Sequence, residues 1–102
     1  MAKRIAPEVV RKYIDFLKKE NLSIKKVYLF GSYAKGIYNV DSDIDLAIVF
    51  ENIKDTFDMQ VQLMKLRRKF DTRIEPHAFR ESDFEPSNPL AKEILTTGLE
   101  II

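Results

Sequence analysis

The sequence predicts a small α+β (α/β) domain, a mixed β-sheet flanked by helices, and three observations carry that expectation. Apolar residues recur at helical spacing near the start, middle and end of the chain. Between them lie three short runs rich in β-branched and aromatic residues. Gly or Pro punctuates several of the junctions. With 102 residues, 45% of them hydrophobic, the chain can bury one modest core and has no material for a second, so residues 1–102 are expected to form a single domain.

The first helix is expected from Pro7 to about Glu20, with Val9, Val10, Tyr13, Ile14 and Leu17 on one face and Pro7 suited to the first turn. Lys26 to Phe30 (KVYLF) is a β-rich apolar run ending abruptly at Gly31, as a buried strand feeding a tight turn would. The turn is GSYAKG, with a short helix opening behind Gly31. After a polar loop through Asn39 and Asp41, DIDLAIVF reads as the second strand. It sets Ile44, Leu46, Ile48 and Phe50 on one face and Asp43, Asp45, Ala47 and Val49 on the other. Lys54 to Lys69 carries the second helix through Phe57, Val61, Leu63, Met64 and Leu66, and ends in the basic run Lys65, Arg67, Arg68 and Lys69. Thr72 to Phe79 is the third strand, and Pro76 places it at a sheet edge or at the strand's end. Asn88 caps a last helix with Pro89 at its first position, running to Gly98, and the tail LEII can add a final strand.

Two aspartates one residue apart on a strand share a face, and their repulsion is costly unless a cation sits between them. Asp43 and Asp45 are therefore candidate metal ligands, held rigid by the apolar residues that alternate with them. Magnesium suits the pair, since one or two carboxylates, waters and substrate phosphates satisfy it. Gly31 and Ser32 follow a strand directly and offer backbone N–H groups and a hydroxyl to a phosphate, with Lys35 or Arg73 to neutralise departing pyrophosphate. A carboxylate-bound metal beside a phosphate cradle points to phosphoryl-type chemistry. Such chemistry uses a third carboxylate, as ligand of a second metal ion or as proton acceptor. Glu75 in the third strand is the choice, with Asp71 the runner-up.

GSYAKG followed at short distance by SDIDLAIVF resembles the nucleotidyltransferase motif of the DNA polymerase beta superfamily, most of all its stand-alone minimal nucleotidyltransferase branch. The resemblance covers the chain to about Phe79. It implies a polymerase-beta-like nucleotidyltransferase fold, Asp43, Asp45 and Glu75 as catalytic and metal-binding residues, and Gly31, Ser32 and Lys35 at the nucleotide. Lys35 stands where the family often has Arg, and Glu75 where many members have Asp. Members of this branch resemble the antitoxin half of two-gene modules whose partner is an all-helical HEPN ribonuclease toxin. Several transfer AMP from ATP to a tyrosine of that partner. The resemblance thus implies a magnesium-dependent adenylyltransferase using two ions, or a nucleotide-binding module that masks its partner by stoichiometric binding.

Other classes fit less well. Seventeen basic and 16 acidic side chains nearly cancel, so no global field points to nucleic acid or a membrane surface. No apolar stretch approaches the roughly 20 residues that span a bilayer, no signal peptide opens the chain, and there is no cysteine, so the cytoplasm is the expected location. Asp41, Asp43 and Asp45 mimic the start of a calcium-binding EF-hand, but its turn glycine would fall at Leu46 and its closing glutamate at Asn52. His77 is expected at the surface, the basic run 65–69 on a solvated face, and Tyr13, Phe16, Phe57 and Met64 in the core. A small domain with exposed strand edges can also pair with itself.

Overall fold

The computed structural model describes residues 7–20, 22–39 and 41–102. A four-stranded mixed sheet lies between two helical layers, in the order β3-β2-β1-β4. Its strands are β1 (Ile24–Phe30), β2 (Ile44–Phe50), β3 (Ile74–Arg80) and β4 (Leu99–Glu100). The helices are α1 (Glu8–Lys19), α2 (Ser32–Lys35), α3 (Thr56–Leu66) and α4 (Pro89–Thr97), with short 3-10 turns at 67–69 and 81–83. β1 runs antiparallel to β2 and to β4, while β2 and β3 are parallel. Among the described residues no helix is long and apolar enough to cross a membrane.

The alternation along β2 decides the two layers. Ile44, Leu46, Ile48 and Phe50 pack with Val27 and Leu29 against Val10, Tyr13, Ile14 and Leu17 of α1 and Leu63 of α3. On the opposite face Ala47 and Val49 join Phe30, Phe79, Ala91 and Ile94, with Phe84 laid against Tyr28 and Phe79. Six of the seven residues of β2 are buried, and Asp45 alone is not. A strand covered on both faces places a polar side chain only where the cover stops.

The Tyr13 hydroxyl donates to the Leu63 carbonyl at 2.8 Å, joining α1 to α3 beneath the sheet. Asp55 caps α3 by accepting the Asp58 N–H, and Asn88 caps α4 by accepting from Leu90 and Ala91. β3 is an edge strand, as Pro76 implied, and the strand continues through it. Ile74, Pro76 and Ala78 turn backbone groups toward the open side, where the missing Pro76 N–H costs nothing. Gln60 of α3 closes that side: its amide nitrogen donates to the Pro76 carbonyl at 2.7 Å and its oxygen accepts the Ala78 N–H at 2.8 Å. One side-chain amide thus stands in for a neighbouring strand.

Several expectations need correction. Phe57 is not core: it lies near the start of α3 with 74% of its surface exposed, because α3 turns Leu63 rather than Phe57 inward. The second helix is α-helical only from Thr56 to Leu66, and Arg67–Lys69 tighten into a 3-10 turn. That basic run is not uniformly solvated, since the Arg67 side chain is only 19% exposed. The tail pairs over two residues rather than four, although Ile101 still donates to the Val27 carbonyl.

Candidate active site

The site forms where α4 ceases to cover the sheet, at the end of β1 and the beginnings of β2 and β3. Phe30, Asp45 and Glu75 are register partners across the three strands, Phe30 opposite Asp45 and Asp45 opposite Glu75. Because paired residues share a face, two carboxylates from parallel neighbours project side by side. Asp43 stands just before β2, exposed to solvent. The loop leading to it is tied locally: Ser42 Oγ accepts the Asn39 N–H, the Ser42 N–H donates to the Asn39 carbonyl, and Asn39 Oδ1 accepts the Asp41 N–H.

Gly31 brings the turn against this acidic corner. Its φ of 75° lies in the region that favours glycine, and a Cβ built there would overlap the Asp45 carboxylate. Backbone at Gly31 and carboxylate at Asp45 are therefore in direct apposition, which only the absence of a side chain allows. Ser32 opens α2 immediately afterwards, and Gly36 closes it in the left-handed conformation. Lys35 is exposed in the last turn of α2.

The electrostatics follow from this crowding. Partial burial pushes the Asp45 carboxyl above the ordinary carboxylate range, neighbouring Asp43 and Glu75 push it further, and His77 opposes them. Asp71 is turned elsewhere: it grips the Arg73 guanidinium through both oxygens at 2.8 and 3.1 Å and accepts the Arg73 backbone N–H at 2.9 Å. That pairing holds the Asp71 carboxyl below its ordinary range. Arg73 also reaches toward the Tyr33 hydroxyl at 3.5 Å.

Asp43, Asp45 and Glu75 thus gather at one corner next to Gly31 and Ser32, while Asp71 pairs with Arg73. Among the described residues no three His, Cys, Asp or Glu side chains are arranged to hold a metal ion by themselves. The donor set still fits a divalent cation. Asp45 is partly buried with like charges at Asp43 and Glu75 beside it, and magnesium needs only one or two carboxylates when waters and phosphates complete its shell.

Two side chains beyond the expected set complete the corner. His77, expected at the surface, is 36% exposed at its side chain, lies 3.7 Å from Asp45 Oδ1, and has its ring against Phe30 at 5.3 Å. Its parity with Glu75 along the strand carried that signal, and Pro76 concealed it. Arg67 contacts Glu75 at 3.2 Å from the end of α3, and nothing in the local sequence marks that contact.

Comparison with known proteins bears on the family and the fold. A family model described as polymerase beta, nucleotidyltransferase, matches residues 11–102. The protein adenylyltransferase MntA of Shewanella oneidensis is 27% identical over 90 residues, covering 88% of this chain and 62% of that protein. A Methanocaldococcus jannaschii protein, provisionally named a protein adenylyltransferase, is 36% identical over 63 residues, covering 61% of this chain and 62% of its own. These alignments therefore span less than two thirds of the relatives' length. Among solved structures, a chain of a mutant MntA–HepT toxin–antitoxin pair matches with a TM-score of 0.66 at 24% identity, covering 96% of this chain and 73% of that one. A structure described as a tri-AMPylated Shewanella oneidensis HEPN toxin in complex with MNT antitoxin matches with a TM-score of 0.53 at 17% identity, covering 92% and 71%. At such identities the likeness is one of fold.

Proposed function

The chain belongs to the polymerase beta nucleotidyltransferase family, and from that premise we propose that it transfers AMP from ATP to a hydroxyl acceptor, a tyrosine of a helical HEPN-type partner. In this reading residues 1–102 act as one cytoplasmic nucleotidyltransferase domain, with no part for a membrane or nucleic acid. The observation that carries it is the apposition of the Gly31 backbone to the Asp45 carboxylate, with Glu75 in register beside it. A phosphate chain laid on the Gly31–Ser32 turn would meet the acidic corner directly.

Asp43 and Asp45 would hold magnesium, with Glu75 as ligand of a second ion. The metal supplies charge stabilisation for in-line displacement at the α-phosphate. Ser32 donates its hydroxyl to the phosphates, and Lys35 offsets the charge on the departing group. The acceptor oxygen bonds to the α-phosphorus as the bond to pyrophosphate breaks, and the acceptor's proton passes to solvent. AMP as the group and a HEPN protein as the acceptor draw support from relatives named protein adenylyltransferases and from the AMPylated toxin in the similar complex.

The test is transfer of label from α-labelled ATP to a purified helical HEPN-type protein. Asp45→Asn is expected to lower the rate by at least about 100-fold. Undiminished labelling by that variant would sink the mechanism. Neutralisation of the partner that survives loss of both Asp43 and Asp45 carboxylates would replace transfer by stoichiometric binding.

A further inference from the structure

Strand register places the Glu75 backbone beside Asp45, but a glutamate carries its carboxylate on three rotatable bonds, so register alone does not decide where the oxygens lie. Arg67 supplies what register cannot. It sits at the end of α3, in the first position of the 3-10 turn, and its side chain points inward under the edge of β3. Nη1 donates to the Thr72 and Ile74 carbonyls, each at 2.9 Å, and to Glu75 Oε2 at 3.2 Å. Nε is buried and has no hydrogen-bond partner. The guanidinium is thereby anchored to the backbone on either side of Arg73, and Glu75 is the carboxylate it grips. A half-buried cation fastened in this way does not wander, and a carboxylate bonded to it loses its rotational freedom.

We infer that Arg67 is a positioning residue for Glu75, fixing one carboxylate oxygen and leaving the other for a cation shared with Asp45. The inference rests on the nucleotidyltransferase reading of this corner. Arg67 does not touch the metal or the nucleotide; it acts through Glu75. Outer residues that orient a ligating carboxylate contribute about 10–100-fold to metal affinity.

The test is Mn2+ binding in the presence of ATP, read from the free-ion electron paramagnetic resonance signal well below the melting temperature of every variant. Arg67→Met and Glu75→Gln are each expected to weaken binding by about tenfold. The double variant is expected to bind no worse than Glu75→Gln alone, since an arginine that works through Glu75 has nothing to act on once that carboxylate is gone. Arg67→Lys, which keeps a cation for Glu75, is expected to recover most of the loss. A merely structural arginine would lower the melting temperature without this dependence on Glu75. If Arg67→Met does not fold, Arg67→Gln carries the comparison, because its amide can still donate to the two carbonyls. Wild-type affinity in the neutral variant, or factors that multiply in the double variant, would overturn the inference. Full binding by Glu75→Gln would overturn it too, while leaving Asp43 and Asp45 in place. A wild-type protein that binds no Mn2+ with ATP would remove the proposed function itself, and this inference with it.

Discussion

Asp45 is the position of β2 at which a charge escapes burial, and the fold tolerates it at a cost. Its carboxyl is held above the ordinary range, chiefly by burial and then by Asp43 and Glu75. A carboxyl whose folded pKa is raised stabilises the native state below the unfolded pKa, and that contribution is lost as pH rises through the folded value. At neutral pH the metal-free protein therefore carries Asp45 as a burden. Asp45→Asn is expected to raise the melting temperature in metal-free buffer while it abolishes transfer. A drop instead, in thermal unfolding followed by circular dichroism, would mean that the contact with His77 outweighs the repulsion. Gly31 is bound to the same corner. Its positive φ and its closeness to Asp45 predict that Gly31→Ala costs about 1–3 kcal/mol. For a domain of this size, about 1 kcal/mol corresponds to a shift of about 4–8 °C. An unchanged melting temperature would show that the turn relaxes freely.

Elements are joined here by a few side chains with two-sided roles. Gln60 occupies the open side of β3 with both ends of its amide, pairing the Pro76 carbonyl and the Ala78 N–H that an exposed edge would otherwise present to another chain. Gln60→Leu keeps much of the bulk and removes both bonds. It is expected to destabilise by about 1–3 kcal/mol, because backbone groups are left without partners, and to raise self-association measured by light scattering. Unaltered scattering would show that α3 shields the edge without its amide. Asn88 is a simpler case: it accepts from two N–H groups at the start of α4, and Asn88→Ala is expected to cost about 1 kcal/mol in chemical denaturation.

At the scale of the molecule, Tyr13 links the helical layer beneath the sheet. It is fully buried, and its hydroxyl reaches Leu63, fifty residues along the chain. Burial pushes its ionisation well above the usual tyrosine value of 10.0, with Arg67 opposing weakly. The raised pKa means that the unfolded chain releases this proton first, so stability is full below about pH 10 and falls as pH rises above it. Tyr13→Phe is expected to cost about 0.5–1.5 kcal/mol at neutral pH, and to lose stability less steeply than the wild type between pH 10 and 11. Parallel curves for the two proteins would contradict the buried, protonated hydroxyl.

The order of elements, the two faces of β2 and the gathering of Asp43, Asp45, Gly31 and Ser32 were legible in the residues themselves. They rest on local physics: the period of apolar positions, the parity of a strand, and the conformations open to glycine. Pro76 likewise announced an edge strand. What lay beyond sequence reasoning depended on which residue a side chain meets across the sheet. Its place in the third strand favours Glu75 over Asp71, but that Glu75 stands directly beside Asp45 follows from parallel register between strands about thirty residues apart, which no local pattern encodes. Arg67 reads as one more solvated cation until α3 is set against β3, and His77 as a surface imidazole until Phe30 is placed beside it. Phe57 shows the converse, an apolar residue at helical spacing left facing solvent. Periodicity tells which residues share a face; only packing decides what that face encounters.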